Sequence, residues 1–155
     1  MNFDKSIIDN HEQKYQLSCI PSAVEMVLKL LGKVGIDYYD LQESWKNKAN
    51  GNFSDFDGKT IKNITFQKLF GNQRCPNFPL QNLFIKIDEE LNSDRFVIIS
   101  LALNTSWHMF VVYDKFGDEY KAFTKNWKET QYINNVKETV ERMQGTDILV
   151  YIINK

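Results

Sequence analysis

The sequence predicts an α+β domain in which helices fill the first half and an antiparallel β-sheet the second. Two observations predict it. Between Cys19 and Leu31 apolar residues recur at helical spacing. From Phe96 onward the pattern changes to short β-rich runs broken by the turn signal Gly117-Asp118. A third observation sets the scale. The 155 residues are 43% hydrophobic and 25% charged, with no repeat and no low-complexity linker, so residues 1–155 read as a single domain with a real core.

Each element follows in order. Residues 1–18 are polar and mixed, and read as an extended arm or short turn. Val24, Val27, Leu28 and Leu31 lie at i, i+3, i+4, i+7, and Ala23, Met26 and Leu30 widen that stripe into a mostly buried helix. Pro21 suits its first turn and Gly32 its end, which puts Cys19 at the helix N-terminus. Tyr38, Leu41 and Trp45 predict a second, shorter helix, and residues 50–64 a loop. Ile64 to Phe70 reads as another short helix, and residues 71–79, with Gly71, Pro76 and Pro79, as turn or loop. Leu80, Leu83, Phe84, Ile87 and Leu91 keep helical spacing as far as Asn92, with Asp88-Glu89-Glu90 as a solvated face. Strands are expected over 96–103, 109–113 and 120–123. A short helix around Val136, Val140 and Met143 and a strand from Ile148 to Ile153 close the chain.

Composition excludes several functions. A net charge of −1 argues against general attraction to nucleic acid or anionic membrane. No apolar run approaches the roughly 20 residues that span a bilayer, and residues 1–14 do not resemble a signal peptide. A cytoplasmic protein, or one exported by a route that reads no apolar N-terminal signal, is expected. Two cysteines are too few for a disulfide framework, although one Cys19–Cys75 bridge is an alternative. Two Cys and two His without ligand spacing offer no zinc set, and no Gly-rich phosphate loop appears, so no metal and no cofactor are expected.

The candidate chemistry is a set of residues in one order. Cys19 opens a helix, where the macrodipole favours thiolate, the nucleophilic form. His108 opens the run His108-Met109-Phe110-Val111-Val112-Tyr113, apolar on both faces and so expected to be a covered, central strand. A hairpin between them returns Asn126 beside His108, where its side-chain oxygen would hold one ring nitrogen and leave the other facing Cys19. Gln13, six residues before Cys19, is the candidate amide donor to an oxyanion, together with the Cys19 N–H. Gln16 is its rival, or else lines the site, and Trp107 and Trp127 are candidate substrate-binding residues. His11, in the polar arm, reads as an ordinary surface residue.

Read as Gln-x5-Cys-x-Pro-x-Ala-x2-Met-x-Leu-x3-Gly, residues 13–32 resemble the nucleophile segment of papain-like cysteine peptidases. The bacteriocin-leader-processing (double-glycine) peptidase domains and their free-standing relatives are the nearest type. The resemblance is carried by Gln13–Gly32 and Trp107–Trp127. It implies a papain-like fold, with the nucleophile helix packed on a C-terminal antiparallel sheet. It implies Cys19 as nucleophile, His108 as base, Asn126 as orienter and Gln13 as oxyanion donor, acting on a peptide or protein substrate. Ile20 stands where that family has Gly, and Asn126-Trp127 where it has Asp-Pro. Three activities follow as expectations: amide hydrolysis through a Cys19 thioester, deamidation, amidase action or acyl transfer by the same triad, or an inactive papain-like binding module.

Overall fold

The structure is a computed structural model that describes residues 1–71, 74–103 and 106–155. Among these residues the order is α1 (Lys5–Asn10), α2 (Cys19–Leu30), α3 (Asp40–Ser44), a 3₁₀ turn (Phe53–Asp55), β1 (Thr60–Ile61), β2 (Ile64–Leu69) and α4 (Leu80–Asn92). There follow β3 (Val97–Leu103), β4 (Ser106–Phe116), β5 (Glu119–Asn126), β6 (Glu129–Ile133), α5 (Val136–Met143) and β7 (Ile148–Ile153). The strands form one seven-stranded antiparallel sheet in the order β1-β2-β7-β3-β4-β5-β6.

Strand alternation divides the core into two layers. Ile98, Val111, Phe123, Leu149 and Tyr151 face α2, meeting Val24, Val27 and Leu28. Val97, Ile99, Phe110, Val112 and Ile148 face the other way, against Leu83 and Ile87 of α4 and Val136 and Val140 of α5. The expected α+β plan and the central, covered strand around Phe110 are both present. α2 ends as its sequence predicts. Gly32 is left-handed, at φ +70, and its N–H bonds Lys29 O while the Lys33 N–H bonds Leu28 O, closing the last turn. Among the described residues, no helix is long and apolar enough to cross a membrane.

Several expectations are corrected. Ile64 to Phe70 is not a helix. Ile64–Leu69 is strand β2, paired with β7 from Ile64↔Ile153 to Leu69↔Ile148. Ile64 and Phe66 are its buried residues, a period of two inside too short a run to exclude helical spacing. The sheet therefore draws a strand from the first half of the chain, and β7 lies between β2 and β3. The N-terminal arm contains α1, capped by the Asp4 side chain accepting from Ser6 N. β6 was not expected at all. The acidic run is only partly solvated: Glu90 is buried and bridged to Arg95 and Lys86, and Asp88 accepts from the Tyr120 hydroxyl.

Candidate active site

The site arises where the sheet splits. β4 pairs with β5 from Phe116↔Glu119 to Val111↔Phe123. Beyond that point β4 stays with β3 as far as Leu103↔Ser106, while β5 stays with β6 as far as Asn126↔Glu129. Two carbonyls are orphaned by the parting, and buried backbone carbonyls need donors. The Thr124 hydroxyl donates to Met109 O (2.6 Å), and His108 Nε2 donates to Lys125 O (2.9 Å). A cleft of about 540 Å3 opens beside this split. Cys19, His108, Asn126, Gln13, Gln16, Trp107 and Trp127 all line it. Cys19 and His108, 89 residues apart in the chain, both line it.

His108 has a defined tautomer. A carbonyl only accepts, so Nε2 carries a proton, and in the neutral ring Nδ1 holds the lone pair. The orienting acceptor is thus a backbone carbonyl of β5, one residue before the expected Asn126 side chain. Asn126 lies at the end of β5, exposed and on the cleft. By alternation His108 shares the side of Phe110, whose ring it meets edge-on at 5.9 Å. α2 packs on the opposite face, so the imidazole reaches the cleft across the split. No hydrogen bond joins Cys19 to His108 among the described residues.

Lys125 secures the carbonyl that His108 uses. It is 2% exposed. Its ammonium donates to Lys128 O (2.9 Å), Thr130 Oγ1 (2.8 Å) and Asp9 O (3.4 Å), which ties β5 to the β5–β6 turn and to α1. Burial holds that ammonium below the usual lysine range, with Asp9 and Glu12 opposing.

Cys19 is half-buried at the start of α2 and is a free thiol, as is the exposed Cys75. The thiol does not have the lowered pKa that its position predicts. Burial pushes it up, while hydrogen bonds from the Ile20 and Cys19 N–H groups pull the other way. Burial of the sulfur outweighs those two N–H groups. Pro21 has no N–H and the Ser22 N–H bonds Ser18 O, so the N–H groups that this helix terminus leaves to the thiol are those of Cys19 and Ile20.

Gln13 is 6% exposed and its backbone N–H bonds Trp127 O (2.9 Å). Its side-chain nitrogen donates to Tyr15 O (2.9 Å) and Gln16 O (3.2 Å). Both amide hydrogens are therefore committed, and Oε1 is buried without a partner. Turning the amide over would set an oxygen against two carbonyls. Gln13 thus closes the loop before Cys19, and the oxyanion role expected of it would require breaking those bonds. Trp127 is left-handed, at φ +58, in a two-residue turn, a backbone strained for a large residue. Trp107 and Trp127 are 46% and 50% exposed at the cleft.

Under α2 runs a polar seam that the sequence did not reveal. His11, expected at the surface, is fully buried. Lys29 Nζ donates to His11 Nδ1 (2.9 Å) and to Ile36 O (2.8 Å), so the neutral imidazole turns its Nε2–H to Ser22 Oγ (3.0 Å). Burial first and Lys29 second hold His11 down to about 2. Glu25 accepts from Leu41 N, Gln42 N and Gln42 Nε2, and burial pushes its carboxyl up to about 7. Gln42 is fully satisfied: its oxygen meets Lys14 N and Ser18 Oγ, and its nitrogen meets Glu12 O and Glu25. This hub ties residues 12–18 to α2 and α3, and so fixes the approach to Cys19.

Comparison of the chain with protein-family models, curated proteins and solved structures gave no match. Fold and site together define an α+β domain with a cysteine–histidine cleft at the split end of its sheet. Sequence reasoning missed Lys125, Trp45 and Gln131 at or behind this cleft. Only Trp45, the last residue of an apolar helical stripe, left any sign.

Proposed function

We propose that the protein hydrolyses an amide bond of a peptide through a thioester on Cys19, in the manner of papain-like cysteine peptidases. His108 Nδ1 takes the thiol proton as sulfur bonds to the carbonyl carbon. The oxyanion is met by the Cys19 and Ile20 N–H groups, which no backbone carbonyl takes at the helix terminus. Collapse breaks the C–N bond, and the imidazolium returns its proton to the leaving amine. Water then cleaves the thioester and restores the thiol. The observation that carries this reading is the shared cleft of Cys19 and His108, with the Lys125 carbonyl reserving Nδ1 as the base. The raised thiol makes proton transfer to His108 necessary, because little thiolate is present at rest.

A second reading is a binding cleft without turnover. It is favoured by the same raised thiol and by the alternation that aligns His108 with Phe110. Mass spectrometry of a neutral peptide pool incubated with the protein separates the readings. Chain cleavage lost in Cys19→Ala supports a peptidase. A shift of about one mass unit on Gln or Asn reports deamidation by the same thiol. Peptides left intact at long incubation, by a protein that binds them, reject hydrolysis.

A further inference from the structure

We infer that this cleft is selective for an uncharged peptide segment bearing an aromatic or long aliphatic side chain, and that it rejects both acidic and basic residues at the position it encloses. The inference deepens the proposed function and rests on it only in taking Cys19 to mark the working cleft.

Charged residues make up 25% of the chain, yet among the described residues no Asp, Glu, Lys or Arg lines this cleft, and the cations beside it, Arg74 at 3.9 Å from the Trp107 ring centroid and Lys48 at 5.4 Å from that of Trp45, are stacked on rings rather than part of the lining. The fold does not avoid buried charge in general. Glu25, Lys29 and Lys125 are all buried within the surrounding elements, and each is hydrogen-bonded inside the protein. The cleft wall instead carries amide side chains, Gln16, Asn126 and Gln131, beside the rings of Trp45, Trp107 and Trp127. Amides both donate and accept, as the peptide backbone does, so this wall can satisfy a peptide without any net charge.

The rings point to the side chain. Leu17, Trp107 and Trp127 are exposed large apolar residues, and all three lie on this cleft. Trp127 holds a left-handed backbone that a glycine would adopt without strain, which marks its ring as placed for use. Gly51 lies against Trp45 so closely that an added Cβ would fall 2.0 Å from the indole, so the floor of the cleft is set by a residue with no side chain. A charged side chain entering this lining would lose water with no charged residue of the lining to replace it, and that desolvation is the basis of its rejection.

Capped peptides that differ at one position, Phe, Asp or Lys, test this by quenching of the cleft tryptophans. The same three sequences as peptidyl vinyl sulfones, with iodoacetamide as the reference, test it by labelling at Cys19. The Phe peptide is expected to bind and label at least tenfold better than either charged analogue. Gln131→Lys is expected to improve the Asp peptide about tenfold relative to the Phe peptide. Equal affinity across the three, tighter binding of a charged analogue, or no binding of any of them overturns the inference. If iodoacetamide labels Cys19 no faster than Cys75, the hydrolase reading fails, and the fluorescence titration still decides selectivity.

Discussion

The seam under α2 and the cleft at its tip are a few residues apart in the chain and opposite in chemistry. In the seam a lysine, a glutamate and a histidine are buried, and every partner is inside the protein. Among the described residues that line the cleft none is charged, and large rings stand half-exposed. The difference teaches where this fold places its polar groups. Charge serves to pin loops onto α2, where geometry is fixed, and is kept from the surface that would meet a ligand. The seam is built for rigidity, and the cleft for exchange with something outside.

Removing one member of the seam breaks the comparison hardest. Glu25→Ala leaves the N–H groups of Leu41 and Gln42 and the Gln42 amide without their acceptor. It is expected to cost about 3–5 kcal/mol, a fall in Tm on the order of 10 °C by calorimetry, whereas Gln131→Ala in the cleft stays within about 0.5 kcal/mol. Lys125→Met comes next. It keeps the apolar stem but strips donors from Lys128 O and Thr130 Oγ1, at a cost of about 1–3 kcal/mol. Because Lys125 acts through His108, the pH profile of Cys19 alkylation should change shape in this variant, which a loss of stability alone does not produce.

Trp127→Gly sharpens the contrast from the other side. Glycine relieves the left-handed backbone, so stability should hold or rise by about 1 kcal/mol, while affinity for the neutral peptide falls about tenfold. A further effect is a slope in pH. Unfolded, a histidine takes its proton near 6.5, whereas folded His11 is held down to about 2. Between those values the unfolded chain binds more protons, so His11's contribution, complete above about pH 6.5, is lost as pH falls. Glu25 works in the opposite sense. Its folded value of about 7 lies above the usual 4.5, so stability falls as pH rises through that window. Melting curves from pH 7 to 4 should therefore show His11→Gln losing less stability on acidification than the native chain.

Much of the fold was legible in the sequence because it rests on local periodicity. α2, α4 and the strand around Phe110 each announce themselves by spacing, and Pro21 and Gly32 bracket α2 as their backbone preferences demand. β2 was not legible, because six residues holding Ile64, Phe66 and Leu69 satisfy a helical and a strand period alike until β7 supplies the partner. His11 and Lys125 were hidden for a tertiary reason. Each is polar among polar neighbours, and only distant segments, Lys29 and Ser22 for one, Asp9 and Thr130 for the other, enclose it. Gln13, Cys19, His108 and Asn126 all line the cleft, and their order along the chain was legible in the sequence. Their partners were not, since the orienting acceptor for His108 is a backbone carbonyl, a group that every residue has.

The central claim is that Cys19 and His108 act as a pair. Alkylation by iodoacetamide near neutral pH, followed separately at Cys19 and Cys75 by mass spectrometry, tests it directly. The account predicts that Cys19 reacts faster than the more exposed Cys75 and that His108→Ala lowers the Cys19 rate by 10² or more, within the range of a general base, while Cys75 is unmoved. Cys19 reacting no faster than Cys75, or as fast without the imidazole as with it, would contradict it.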